Sequence, residues 1–313
     1  MPPQYLRISV TSRCNLHCFY CRDRDASADG TGEPGVDEFE LLARAGGAEG
    51  VRKVRITGGE PLLRRDLADI VRAVSSAPGI AETTLTTNGI GLAERAKELS
   101  HAGLDRVNIS LDTLVAERFH AITGHTGHRR ILAAIEECSR AFETVKLNTV
   151  LLPGVNDDEV ESLVDFTAKR GLWIRFIERY TRRRFSERAG VPVAMNSVKE
   201  RLERIWGPLE PVEGARLSVE DSYRLPGLTQ GRVGFISSVS TPPCGTCSRL
   251  RFTAAGALLP CLFAEEGIGL GSMLRAGDGR SVRRAIRRAF ALKSRCSASV
   301  SPSVSGPVSS IGG

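Results

Sequence analysis

The chain has 313 residues, 41% of them hydrophobic and 25% charged, with a formal net charge of +7. That is enough for one large domain plus a small one, or one barrel with an extension, with a sizeable buried core. No apolar h-region follows Met1, and no run nears the roughly 20 apolar residues that a bilayer-spanning helix needs, so a soluble cytoplasmic protein without a membrane partner is expected.

In chain order, runs of strand character fall at Tyr5 to Val10, Lys53 to Thr57, Thr83 to Thr86, Arg106 to Leu111, Val145 to Leu151 and Trp173 to Ile177. Helix-period segments lie between them at Glu38 to Ala45, Leu67 to Val74, Gly91 to Ala102, His128 to Ser139 and Asp158 to Lys169. This alternation predicts an α/β fold with a parallel sheet and helices outside, either a partial TIM-like barrel or an open doubly wound sheet. After about residue 215 the pattern turns β-rich, with a strand at Arg232 to Val239 and a hairpin over Leu250 to Phe263 turning at Ala254 to Ala257. Between Arg280 and Arg295, Val282, Ile286 and Phe290 recur at helical spacing, so the arginines there read as the wet face of an amphipathic helix. From Ser294 the composition is Ser-rich and reads as a flexible tail. The expected division is 1–215, 216–293 and 294–313.

Alternation within the strands says more than their number. Leu6, Ile8 and Val10 alternate with Arg7, Ser9 and Thr11, and the strands at residues 53, 107 and 145 repeat the pattern. Helices cover the apolar face, so the polar face lines a cavity into which Arg7, Lys53, Arg55 and Lys146 point. Buried cations need anionic partners. Asp and Glu are scarce on those faces, and a phosphate-bearing substrate is the economical partner.

Eight cysteines fall into two groups of three, with Cys138 and Cys296 left over. That arrangement reads as metal ligation in a reducing compartment rather than as a disulfide framework, and Cys138 as a buried thiol. Cys14, Cys18 and Cys21 form a CxxxCxxC run just past the first strand, and Cys244, Cys247 and Cys261 form CxxCx13C. Iron–sulfur clusters are normally held by four thiolates, so a site with three leaves an iron open to a small molecule. The alternative is zinc, with His17 the nearest fourth ligand for the first group.

The run TSRCNLHCFYC followed by ITGGEP resembles the radical S-adenosylmethionine (radical SAM) enzymes. The resemblance implies a first [4Fe-4S] cluster on Cys14, Cys18 and Cys21 whose open iron chelates SAM, and a 5′-deoxyadenosyl radical formed by reductive cleavage. Tyr20, Gly59, Ser110 and Tyr180 stand at its SAM-binding positions. The segment CGTCSRLRFTAAGALLPCLF, with LRISVT, LTTNG, VNISLD, GVNDDE and IRFIE in order, resembles the GTP 3′,8-cyclases of molybdenum-cofactor biosynthesis. By that resemblance the fold is a partial (βα)6 barrel with a small β-rich C-terminal module. A second [4Fe-4S] cluster on Cys244, Cys247 and Cys261 holds the guanine base. Arg7, Arg55, Thr86, Lys146, Arg249, Leu250 and Arg251 contact GTP, and a tail ending in Gly312 and Gly313 assists conversion in the active site.

It further implies an electron donor such as flavodoxin or ferredoxin, a downstream cyclic pyranopterin monophosphate synthase, no nucleic-acid partner, and compatibility with a homodimer. Ser12, the Arg22-Asp23 pair, Tyr180 and the uncharged stretch from Ser297 to Pro307 depart from the family pattern. The competing expectations are a paralogue acting on another nucleotide or a peptide, and a basic zinc protein that binds nucleic acid through Arg280 to Arg295.

Overall fold

In the computed structural model, residues 4–21, 32–179, 192–212, 221–227, 231–237, 240, 247–264 and 266–296 are described. The first half is a strand–helix succession. It runs β1 (Tyr5–Ser9), α1 (Val36–Ala48), β2 (Lys53–Thr57), α2 (Leu67–Ser75), β3 (Glu82–Thr87), α3 (Ala96–His101) and β4 (Arg106–Ser110). It continues through α4 (Ala116–Thr123), α5 (His128–Ala141), β5 (Val145–Leu151), α6 (Val160–Ala168) and β6 (Trp173–Glu178). The remainder comprises α7 (Met195–Trp206), β7 (Glu210–Pro211), β8 (Asp221–Arg224), β9 (Arg232–Ile236), β10 (Arg249–Phe252), β11 (Ala257–Leu259), β12 (Ile268–Gly269), α8 (Gly271–Arg275) and α9 (Gly279–Cys296).

All these strands belong to one open sheet of order β12-β11-β10-β1-β2-β3-β4-β5-β6-β9-β8-β7. Strands β1 to β6 are parallel, and β10 joins β1 and β9 joins β6 in the same sense. The segment after residue 215 therefore lengthens the barrel sheet at both edges instead of folding a sheet of its own. The β10–β11 hairpin turns where the sequence indicates.

The period-2 pattern sorts the faces as expected. Leu6, Ile8, Val54, Ile56, Leu85, Val107, Ile109 and Leu147 are fully buried in the core beneath the helices. Helix α9 buries Val282, Ala285, Ile286 and Ala289 and leaves Arg283, Arg284, Arg287 and Arg288 exposed. Arg283 and Arg287 reach Glu49 at 2.7 and 3.2 Å, which ties the wet face back to the end of α1. This helix runs on to Cys296, two residues past the start of the compositional tail.

Two helices lie outside the segments read from the sequence: α4, which has few buried apolar residues, and α7, which buries Met195, Val198 and Leu202 at helical spacing. Helix α3 starts at Ala96 rather than near Gly91, because Gly91 sits at φ +86° in a turn no regular helix accepts. Among the described residues, no helix is long and apolar enough to cross a membrane.

Candidate active site

The loop after β1 carries Cys14, Cys18 and Cys21 over the C-terminal end of the sheet, where α/β folds place their sites. Backbone contacts hold it down. Gly59 N–H donates to Thr11 O and Glu60 N–H to Arg13 O, each at 2.7 Å, while His17 N–H and Phe19 N–H donate to Thr123 O and Ile122 O. The two loops lie so close that a Cβ at Gly59 would stand 2.0 Å from Arg13 O. Gly59 is thus required by backbone approach as well as by any ligand.

Burial pushes the Cys18 thiol upward, and the nearby Asp112, Cys21 and Cys14 push it further. The Cys18 sulfur, half-buried and in electrostatic reach of two others, resists becoming a thiolate unless a cationic centre compensates it. That donor set fits an iron–sulfur core, whose irons take one sulfur each. Among the described residues no three His, Cys, Asp or Glu side chains converge as one metal ion requires, and His17, the zinc candidate, is exposed.

Beside this loop Tyr20 OH donates to Asp112 Oδ2 at 2.5 Å, and Asp112 Oδ1 accepts from Val150 N–H at 2.9 Å. Burial raises the Asp112 carboxyl to about 6. Ser110 ends β4 alongside, half-buried. Glu60 forms a second hub. It accepts from Thr87 Oγ1, Leu62 N–H and Asn88 N–H, and burial raises it to about 7.

Below the rim, in-register neighbours turn the polar face into rows. One row is Arg249–Tyr5–Lys53–Glu82, and the next is Arg251–Arg7–Arg55–Thr84–Arg106. A third is Thr86–Asn108–Lys146–Trp173–Arg232. Arg7, Arg251, Lys146 and Arg175 are buried, and Lys146 Nζ lies 3.7 Å from the Trp173 ring centre. Burial, then repulsion from Arg251, Arg55 and Arg249, pulls the Arg7 guanidinium well below its ordinary value, against the opposing effect of Tyr5.

Among the described residues, Thr86 Oγ1, Asn148 Oδ1, Arg249 Nε and Tyr5 OH are buried atoms that find no hydrogen-bond partner. Buried cations beside orphaned polar atoms fit a polyanionic ligand.

Lys53 requires a correction. Its Nζ is 2.8 Å from Glu82, which also pairs with Arg106, so the cavity floor contains the carboxylate that the sequence reading found scarce. Leu250 is set apart from its neighbours: it pairs in register with Leu6 on the helix-facing side, and its side chain lies in the core away from the lumen. Alternation puts Asn108 and Asp112 on the polar face, and Tyr5 and Arg175 are site residues beyond that reading. Arg175 follows from the same alternation carried one strand further, and its side chain hydrogen-bonds that of Asn108.

Cys247 stands two residues before β10 and Cys261 two after β11. Because β10 runs parallel to β1, Cys247 and Cys261 stand at the opposite end of the strands from the first group. Lys293 from α9 joins its two segments, donating to Arg249 O and Pro260 O at 2.9 Å each. Burial opposes ionisation of Cys247, but the charges of Lys293 and Arg249 outweigh it and lower the thiol. Cys138 is buried on α5. Cys244, Tyr180, Gly312 and Gly313 lie outside the described residues.

An open parallel half-barrel with a three-cysteine loop past its first strand defines the class of iron–sulfur enzymes that use S-adenosylmethionine. Residues 8–167 match the Radical SAM superfamily, and residues 172–298 match Molybdenum Cofactor Synthesis C. The sequence is 43% identical over 92% of this chain and 90% of the relative to a GTP 3′,8-cyclase of Pelotomaculum thermopropionicum. It is 42% identical to one of Heliobacterium modesticaldum over 87% of this chain and 85% of the relative. Molybdenum cofactor biosynthesis protein 1 of Mus musculus is 40% identical over 87% of this chain, which matches 43% of that longer protein.

The fold resembles that of Streptococcus suis SuiB bound to S-adenosylmethionine, with a TM-score of 0.64 at 16% identity over 88% of this chain and 65% of SuiB. It also resembles anSMEcpe with bound AdoMet, with a TM-score of 0.57 at 16% identity over 92% and 84% of the two chains. The chain belongs to the radical SAM superfamily and, within it, to the GTP 3′,8-cyclase family.

Proposed function

We propose that this chain converts GTP to 3′,8-cyclo-7,8-dihydro-GTP, the first step of molybdenum-cofactor biosynthesis. The observation that carries the reading is the lumen itself: rows of buried cations between two cysteine groups at opposite ends of one sheet face. Cys14, Cys18 and Cys21 hold the cluster that binds SAM, with Tyr20, Gly59 and Ser110 around it. Cys247 and Cys261, with Cys244, hold the second. When bound, the first cluster and SAM would supply the 5′-deoxyadenosyl radical that removes the ribose 3′ hydrogen, and the second cluster would hold the guanine base.

The chain's own part is positioning. Arg7, Arg55, Lys146, Arg249 and Arg251 clamp the triphosphate by charge-assisted hydrogen bonds, and Thr86 offers a hydroxyl. With the phosphates fixed from the strands and the base from the opposite end, C3′ and C8 of one ribonucleotide are kept in bonding range. The helix-packed sheet and the buried lumen keep water from the radical. The reaction takes one electron to cleave SAM, and one electron with one proton to reduce the cyclised nucleotide radical, the electrons coming from a donor such as flavodoxin or ferredoxin. The product passes to a cyclic pyranopterin monophosphate synthase, and the enzyme acts in the cytoplasm.

Anaerobic reconstitution with SAM, dithionite and GTP tests the reading. Deoxyadenosine together with a cyclised nucleotide is expected. Deoxyadenosine without consumption of GTP would overturn it in favour of another substrate.

A further inference from the structure

Tyr5 lies on the cavity side of β1, in register between Arg249 on β10 and Lys53 on β2. It is 3% exposed, and its hydroxyl meets no hydrogen-bond partner among the described residues. Buried tyrosines ordinarily find a partner for that group, because an unmet hydroxyl costs free energy. Lys53 and Arg55 stand 5.6 Å from its ring centre and Arg249 5.3 Å. The carboxylate of that row is already engaged, since Glu82 pairs with Lys53 and Arg106. What the hydroxyl lacks is therefore an acceptor, and the surrounding charge selects an anionic one.

We propose that the Tyr5 hydroxyl is a phosphate ligand, donating a hydrogen bond to the triphosphate of the nucleotide held by the surrounding cations. The assignment rests on the nucleotide reading above and adds a neutral donor among the guanidinium and ammonium groups.

The charges around Tyr5 give the assignment a signature. Facing it are Arg7 on its own strand, Lys53 and Arg55 on β2, Glu82 on β3, Arg106 on β4 and Arg249 on β10. Burial alone would raise the phenol, but the positive charges of Arg55, Arg7, Arg249 and Lys53 outweigh it and bring the phenol down to about 8. A bound polyphosphate neutralises those cations, and the phenol returns to its protonated, donating form. Above about pH 8 the free enzyme must take up a proton to bind, so this contribution to affinity is full below that pH and fades above it.

The test is anaerobic titration of GTP into cluster-loaded wild type and Tyr5→Phe, with guanosine as the phosphate-free ligand. The substitution removes only an oxygen without a partner, and far-UV circular dichroism with iron content checks that fold and clusters persist. At about pH 7 the variant is expected to bind GTP about tenfold more weakly, the worth of one hydrogen bond to a charged group. At about pH 9 the wild-type advantage is expected to shrink to little or nothing, because about nine-tenths of the free enzyme then carries the phenolate. The ratio of the two proteins cancels the ionisation of the nucleotide itself.

Guanosine is expected to bind both proteins alike. Equal GTP affinity at pH 7 overturns the assignment alone, as does a parallel loss of guanosine binding, which marks a structural role. Absence of GTP binding by wild type overturns the nucleotide reading and this assignment together.

Discussion

Tyr20 and Asp112, 92 residues apart in sequence, share a 2.5 Å hydrogen bond that joins the cysteine loop to the end of β4. The carboxylate has two donors, Tyr20 OH and Val150 N–H, yet burial dominates and raises it to about 6. A carboxyl raised in the fold binds its proton more tightly there than in the unfolded chain. Between about pH 4 and pH 6 the folded state holds the extra proton, so this group's contribution to stability is greatest at low pH and falls as pH rises through 6. The span corresponds to about 3 kcal/mol. Asp112→Asn lacks this slope. Its unfolding free energy relative to wild type is expected to be higher at about pH 7.5 than at about pH 4.5 by up to that amount. Denaturation of the cluster-loaded proteins at both pH values reads it, and a constant difference would show that Asp112 ionises normally.

The approach of the two rim loops predicts the behaviour of Gly59. A methyl group there meets Arg13 O at 2.0 Å and Ser12 O at 2.7 Å, both backbone atoms that cannot swing aside. Gly59→Ala is expected to cost about 2 kcal/mol or more of stability and to move the cysteine loop by a comparable distance. SAM binding should fall at least tenfold, while the far-UV spectrum stays the same. Isothermal titration of SAM under argon measures this, and wild-type affinity would mean that the loop relaxes freely.

Strand phase carried most of what could be read from the sequence, and the reason is physical. With one face packed against helices, a strand has a single register that keeps Leu6, Ile8, Val54 and Ile56 inside, so the lumen positions of Arg7, Arg55 and Lys146 follow. The same logic extends to Arg175, whose neighbours Ile174 and Phe176 are buried on the far side. What could not be read were relations between strands. Glu82 reaching Lys53, and Tyr5 becoming enclosed by cations, depend on which strands adjoin and in what register. A tyrosine opening an apolar run looks like core until Arg249, about 240 residues later, is found beside it. Helix α4 escaped notice because its apolar residues are few, yet its end ties down the cysteine loop through Ile122 and Thr123.

Lys293 yields a prediction for the second cysteine group. Its ammonium group links the carbonyls of Arg249 and Pro260, flanking Cys247 and Cys261, and favours the Cys247 thiolate. Lys293→Met keeps the apolar stem and removes the charge. The Cys247 thiol is expected to rise, and the C-terminal centre to load poorly while the N-terminal one is unaffected. Iron per chain should fall by about half, as loss of one of two like clusters requires. SAM cleavage without GTP is expected to continue. Full iron content in the variant would limit Lys293 to a structural clasp.

Arg251 separates binding from stability. It is buried in register with Arg7, and its charge is a leading cause of the depressed Arg7 guanidinium after burial. Arg251→Ala removes a like charge from a crowded, low-dielectric face, so the nucleotide-free protein is expected to be as stable as wild type or more so. The same substitution removes a phosphate clamp, and GTP affinity is expected to fall about tenfold to a hundredfold. Such opposition between stability and function is typical where charges are gathered for a ligand. Because Arg251 lies on β10 in register with the middle of β1, below the cysteine loop, deoxyadenosine formation from SAM should persist without GTP being consumed. Thermal unfolding, GTP titration and anaerobic product analysis on one preparation distinguish the effects. Equal loss of SAM cleavage and GTP binding would contradict this division of labour between the rim and the lumen.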